Sequence, residues 1–135
     1  MSATLRRTMS KPDFLAWEDR RDGKFEFDGF GPIAMTGGTA EHSRIKVNLV
    51  SALRARLRGG PCQVYDSDMR VAAADALRYP DASVSCVPLP RGATELAEPS
   101  VVFEVLSPST SFTDRIAKNR EYRATPSIAH YVILE

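Results

Sequence analysis

Glu104 sits inside Val101-Val102-Phe103-Glu104-Val105-Leu106, a run whose other five members are all large and apolar. Such a run reads as a strand buried on both faces. A lone ionised carboxylate at its centre costs on the order of several kcal/mol unless it is paired or bound to a metal. Asp81 is the partner that chain geometry offers. If residues 81–87 and 100–106 pair as an antiparallel hairpin across the 88–99 loop, the register that sets Asp81 opposite Glu104 is centred beside the middle of that loop. The two carboxylates then fall at about the same level of the sheet, within reach of one ion. A slip of one residue would turn one of them to the other face, and the sequence alone does not fix that register. Two carboxylates on neighbouring strands suit a hard divalent cation such as Mg²⁺, which leaves its other positions to water and phosphate oxygens. A nearby cation would orient an attacking water and stabilise developing charge. Lys118 is the candidate, on one i, i+4 helix face with Asp114 and Tyr122. The plain alternative is structural: Glu104 pairs with Arg115 or Arg120 inside the core, and Asp81 closes the Tyr79-Pro80-Asp81 turn.

The elements that must position these residues follow from periodicity. Ser10, with Asp13 three residues on and Pro12 in the first turn, reads as the start of a short helix that Gly23 ends. Phe25-Glu26-Phe27 and Ile33-Ala34-Met35 flank a turn rich in glycine and proline, which predicts a β-hairpin. Residues 39–58 give the clearest helix. Ile45, Leu49, Leu53 and Leu57 recur every four residues, Thr39 is its plausible cap, and Gly59-Gly60-Pro61 stops it. Its remaining surface carries Arg44, Lys46, Arg54, Arg56 and Arg58, best read as a solvated face. Residues 63–71 read as one strand, 72–77 as a loop, 81–87 as a strand, 88–99 as a long connection and 101–106 as the buried strand. Thr113 reads as the cap of a helix running from Asp114 to about Ala124. His130 to Leu134 reads as a final strand. A helix and hairpin followed by αβββαβ is an α+β pattern with a mixed sheet.

Length and composition set the bounds. The chain has 135 residues, enough for one domain and too few for two. With 43% hydrophobic and 26% charged residues it has the profile of a globular protein. A net charge of +1 excludes a globally basic coat for nucleic acid, though not a local basic patch. Cys62 and Cys86 are too few for a disulfide framework or a four-cysteine zinc site and read as buried or half-buried thiols. No apolar run approaches a membrane span, and Met1 to Lys11 has no apolar core, so a cytoplasmic location is expected.

Several segments together resemble the Uma-two family, described as restriction-type endonucleases of the PD-(D/E)XK nuclease-like superfamily. They are Met35-Thr36-Gly37-Gly38-Thr39-Ala40-Glu41-His42-Ser43-Arg44-Ile45, Tyr79-Pro80-Asp81 and Phe103-Glu104-Val105-Leu106-Ser107-Pro108-Ser109-Thr110. To these are added Asp114…Lys118…Tyr122 and Tyr122-Arg123-Ala124-Thr125-Pro126-Ser127. The likeness runs from about Met9 to Leu134. It implies a PD-(D/E)XK restriction-endonuclease-like αβββαβ core and a metal-dependent phosphodiesterase, with Asp81 and Glu104 as metal ligands. Leu106 stands where the superfamily has its lysine, and Lys118 on the following helix takes that place. The resemblance also puts His42 near the site and Asp68 at a position that can join the metal shell. The family's Asp-Gly-Glu run in the early hairpin reads here Asp28-Gly29-Phe30, so Glu26 remains as the nearby acid. Relatives usually continue beyond the position of Glu135, so the resemblance implies a single domain, 1–135, shortened at its C-terminus relative to the family.

The reading from sequence is therefore a Mg²⁺- or Mn²⁺-dependent endonuclease acting on DNA. Asp81, Glu104 and Lys118 are its catalytic set, and Glu26, His42 and Asp68 are possible additions. The alternative is a catalytically inactive nuclease-fold module that binds DNA or a protein. A last strand with an open edge makes a homodimer or an aggregation-prone monomer the expected state.

Overall fold

A computed structural model describes residues 8–108 and 110–135. Part of the N-terminal stretch read as carrying no secretion signal, and Ser109 of the family-like run, lie outside the described residues.

The chain begins with α1 (Lys11–Glu18), whose cap Ser10 accepts a hydrogen bond from the Asp13 backbone through its hydroxyl. Its one buried side chain, Phe14, stacks on Phe27 with ring centroids 5.0 Å apart and joins Leu77 in a small apolar cluster. The expected hairpin is present as β1 (Phe25–Phe27) and β2 (Pro32–Ala34), with Glu26 opposite Ile33. Asp28 closes the turn by accepting from the backbone N–H of Phe30 and Gly31. Then comes α2 (Ala40–Leu57), capped by the Thr39 hydroxyl as expected.

Residues 63–71 do not form the single strand expected. They divide into β3 (Gln63–Asp66) and the start of β4 (Val71–Ala73), which belong to different sheets. Asp66 breaks the run: its side chain accepts from the Asp68 N–H, and its carbonyl from the Met69 N–H. The loop expected over 72–77 is instead a second hairpin. In it β4 pairs with β5 (Ala76–Arg78) across Ala74, which adopts a left-handed φ of 52°. β6 (Ala82–Ser85) and β7 (Pro99–Val105) follow, joined by the long connection. That connection is pinned by a bridge between Arg70 and Glu95 and by the buried Leu96.

After β7 the chain enters a π-helical turn (Thr113–Lys118) that continues into α3 (Asn119–Arg123). Thr113 lies within the helical segment and does not cap it, because helical backbone already begins at Ser111. β8 (His130–Leu134) closes the order.

Two sheets result, β2-β1-β5-β4 and β3-β6-β7-β8. The second is mixed, since β8 runs parallel to β7 while the other neighbours are antiparallel. Taken with α2 and α3 it is the expected αβββαβ core, into which the β4–β5 hairpin is inserted between the first two strands. Its main apolar cluster joins Val71, Ala73, Leu96, Val102 and Tyr122. Cys62 and Cys86 form a disulfide and are not free thiols. They are the next rung beyond Gln63 opposite Ser85, so β3–β6 pairing brings them face to face. Among the described residues no helix is long and apolar enough to cross a membrane.

Candidate active site

The site begins with the register of β6 and β7. Ala82 faces Phe103, Ser83 faces Val102 and Val84 faces Val101, so the next step of that ladder sets Asp81 level with Glu104. Asp81 precedes the first residue of β6 and continues the ladder with its side chain: Oδ2 accepts from the Val105 N–H at 2.8 Å. Along β7, alternation puts Glu104 on the same face as Val102, which packs against Tyr122 of α3. Glu104 therefore meets the helical segment, and the Lys118 ammonium lies 3.5 Å from its Oε1.

Lys118 is shared. Asp114, one turn back, approaches it to 3.0 Å, and Glu26 of β1 to 3.8 Å. Tyr131 of β8 donates its hydroxyl to the Asp114 carbonyl at 2.9 Å, which ties the π-helical turn to the sheet. Glu26 in turn accepts from the Tyr79 N–H at 2.8 Å and from Arg78 at 3.3 Å. His42, in the first turn of α2, places Nε2 3.3 Å from Asp81 Oδ2. Gly38 leaves room for that ring, because a Cβ there would sit 3.1 Å from His42 Nδ1. Glu26, His42, Arg78, Asp81, Glu104 and Lys118 all line one cavity of about 340 Å³.

Five of the six residues singled out by sequence thus converge. Asp68 does not: it lies on the turn after β3 and is not among the residues that line the cavity. The structural alternatives for Glu104 are not realised either. Arg115 pairs with Glu135, and Glu104 pairs with Lys118.

Sequence reasoning missed Arg78 and Glu121. Arg78 is 1% exposed and grips Glu121 with two hydrogen bonds, 2.8 Å from Nε and 2.9 Å from Nη2. A basic residue beside Tyr79-Pro80-Asp81 was the available signal. Arg78 falls between the loop expected over 72–77 and the strand expected from 81, so no element claimed it.

The electrostatics are lopsided. The buried charged groups among the described residues are Glu26, Glu104, Asp114 and Glu121 against Arg78 and Lys118. Four carboxylates face two cations. Burial pushes the Glu104 carboxyl well above the usual range; Lys118 opposes this, and Asp81, Asp114 and Glu26 add to it. Burial alone would lower Lys118, but Glu104, Glu26 and Asp114 outweigh it and hold the ammonium above its ordinary value. Glu104 is thus raised chiefly by burial, and Lys118 by the carboxylates around it. Glu104 Oε1 is fully buried and makes no hydrogen bond.

This donor set fits a divalent cation of the Mg²⁺ type. It offers two hard oxygen ligands at one level of adjacent strands, one with an oxygen that makes no hydrogen bond, in a pocket short of positive charge. Among the described residues no group of three or more His, Cys, Asp or Glu is gathered to hold a metal. Only a cation that leaves most of its positions to water and substrate would suit.

Comparison with known proteins follows the same lines. Residues 12–135 match the model of the Uma2 (Uma-two) family, described as "Putative restriction endonuclease". The uncharacterised protein slr1290 of Synechocystis sp. (strain PCC 6803) is 36% identical over 129 residues, covering 93% of this chain and 68% of that protein. A second uncharacterised Synechocystis protein, sll1609, is 27% identical over 140 residues, covering the whole of this chain and 79% of its own length. A crystal structure described as "a putative nuclease belonging to DUF820", from Anabaena variabilis, superposes with a TM-score of 0.63 at 22% identity. The alignment covers 78% of this chain and 64% of that one, so this chain spans less than two thirds of the solved protein. The likeness establishes the restriction-endonuclease-like α+β fold. Matched over nearly its whole length, the chain belongs to the Uma2 family.

Proposed function

We propose that the chain is a nuclease that hydrolyses phosphodiester bonds in DNA with Mg²⁺ or Mn²⁺ held by Asp81 and Glu104. The observation that carries this reading is the buried Oε1 of Glu104, which makes no hydrogen bond and sits in a cluster where four carboxylates, its own included, share two cations. When bound, the divalent cation supplies Lewis-acid activation of water and neutralises phosphate charge. Asp81, fixed by the Val105 N–H, and Glu104, fixed by β7, hold the two ligand positions at one level. Lys118 supplies a fixed positive charge in a water-poor pocket, where it stabilises charge developing on the phosphate oxygens. His42, with Nε2 3.3 Å from Asp81 Oδ2, is placed to orient that carboxylate or to contact substrate. The likeness to proteins described as nucleases supports the substrate class. A second copy paired along the open edge of β8 would present two such clefts to the two strands of a duplex.

A plasmid-nicking assay tests the reading. Wild type is expected to cut with Mg²⁺ or Mn²⁺ and not with EDTA, and Asp81→Asn and Glu104→Gln are expected to remain folded and inactive. Cleavage that survives both substitutions would overturn it. One observation favours the second reading, a nuclease-fold module that binds without cutting: Lys118 is already held by three carboxylates, as in a structural ion-pair cluster. That module would bind DNA or a protein equally well with EDTA.

A further inference from the structure

We infer that Arg78 is a positioning residue for the metal site, with Glu121 as its anchor. Arg78 makes its hydrogen bonds and ion pairs with Glu121 and Glu26, not with either of the carboxylates assigned to the metal. Its guanidinium joins three parts of the fold that must agree if those carboxylates and Lys118 are to face one another. Through Nε and Nη2 it holds Glu121 of α3, and through Nη1 it holds Glu26 of β1. Glu121 lies three residues beyond Lys118, so the grip on Glu121 fixes where the helical segment delivers the ammonium. Glu26 accepts from the Tyr79 N–H and lies 3.8 Å from the same ammonium. Asp81 follows Arg78 by three residues, through Pro80 with its fixed φ. One planar fork therefore sets the distance between the segment bearing Asp81 and the segment bearing Lys118.

A lysine could not do this. It is a point charge on a flexible stem, whereas the guanidinium presents five N–H groups in fixed directions. Nor does stability alone require the arrangement, because buried ion pairs can often be replaced by apolar side chains without loss. Outer partners of metal ligands, by contrast, commonly change metal affinity about 10–100-fold when altered.

This inference rests on the metal reading above, and the experiment separates the two. Mg²⁺ affinity is measured by calorimetry, and melting temperature without metal, for wild type, the double variant Arg78→Met/Glu121→Leu, and Arg78→Lys. A positioning role predicts that the double variant melts near wild type, its Mg²⁺ affinity falling about 10–100-fold. Arg78→Lys, which keeps the charge and loses the fork, is expected to fold and show the same direction of loss. It carries the test should the double variant fail to fold. Wild-type affinity in a folded double variant, or in Arg78→Lys, would overturn the positioning role and leave the metal reading standing. No Mg²⁺ binding by wild type would overturn the metal reading, and the positioning role with it.

Discussion

Asp81 and Val105 are joined by a hydrogen bond in which the backbone N–H of Val105 donates to Oδ2 at 2.8 Å. The acceptor is a side chain where an ordinary rung would use a backbone carbonyl. The ladder position just before β6 thus falls to a carboxylate, and that carboxylate is locked to the strand bearing Glu104, one residue from it. The assigned ligand is also a structural peg.

The first prediction separates those two roles. Asp81→Ala removes the acceptor and leaves a buried N–H unsatisfied, at a cost of about 1–3 kcal/mol. Asp81→Asn keeps an amide oxygen that can accept the same bond, so it should retain most of the stability in urea denaturation. Both variants should lose the rise in melting temperature with Mg²⁺. An asparagine variant as unstable as the alanine variant would mean that the charge, not the acceptor, holds the strand end.

Thr39 links a helix cap to the site. Its hydroxyl accepts from the N–H of His42, whose ring faces Asp81. Thr39→Ala should cost about 1 kcal/mol, the usual worth of such a cap, while Thr39→Ser should be near neutral. Chemical denaturation measures both, and an alanine variant as stable as wild type would show that the cap contributes nothing here.

The strand carrying Glu104, the hairpin carrying Glu26 and the helix opening at His42 were legible in the sequence, because each is marked by a period or by strong turn residues. Even the level of Asp81 against Glu104 followed from loop symmetry, since sheet registers are discrete. The β4–β5 hairpin was not legible. Its sequence, Val71-Ala72-Ala73-Ala74-Asp75-Ala76-Leu77, is rich in alanine, which has little strand preference, and its turn uses Ala74 at positive φ where glycine or asparagine would have signalled it. Arg78 and its ion pairs were lost with it. The π-helical turn was hidden as well, because residues at i and i+4, such as Asp114 and Lys118, stay near one face in an α- and in a π-helix alike. The cysteine pair needed the β3–β6 register, which a strand drawn through 63–71 concealed.

The disulfide gives a prediction independent of the site. Cys62 and Cys86 are 24 residues apart, and closing a loop of that size restricts the unfolded chain by about 3–4 kcal/mol in the chain-entropy account. Thermal melts with and without a reducing agent should show that loss. The Mg²⁺-induced rise should persist in the reduced protein, because the bridge lies past the far end of β6 from Asp81. Equal melting temperatures would mean that the bridge does not form in solution.

The last prediction concerns Glu104 and has opposite signs with and without metal. Burial raises this carboxyl above its unfolded value of 4.5, so the native state binds its proton more tightly than the unfolded chain does. The group's contribution to stability is therefore complete below about pH 4.5 and is lost as pH rises through the raised native value. Glu104→Gln mimics the protonated form and does not titrate. Without metal, the variant should gain on wild type steadily as pH rises over that window. With Mg²⁺ at neutral pH the order should reverse. A ligand at about 100 times its Kd adds about 2.7 kcal/mol to a native state that binds it, and the variant lacks the charge that would hold it. Denaturation of both proteins across pH, with Mg²⁺ and with EDTA, reads both signs. If Glu104 serves Lys118 alone, the substitution leaves that cation with Asp114 and Glu26. The variant would then be less stable than wild type at neutral pH in EDTA, and Mg²⁺ would change neither protein. That pattern would return Glu104 to a structural ion pair and leave the chain a binding module on a nuclease fold.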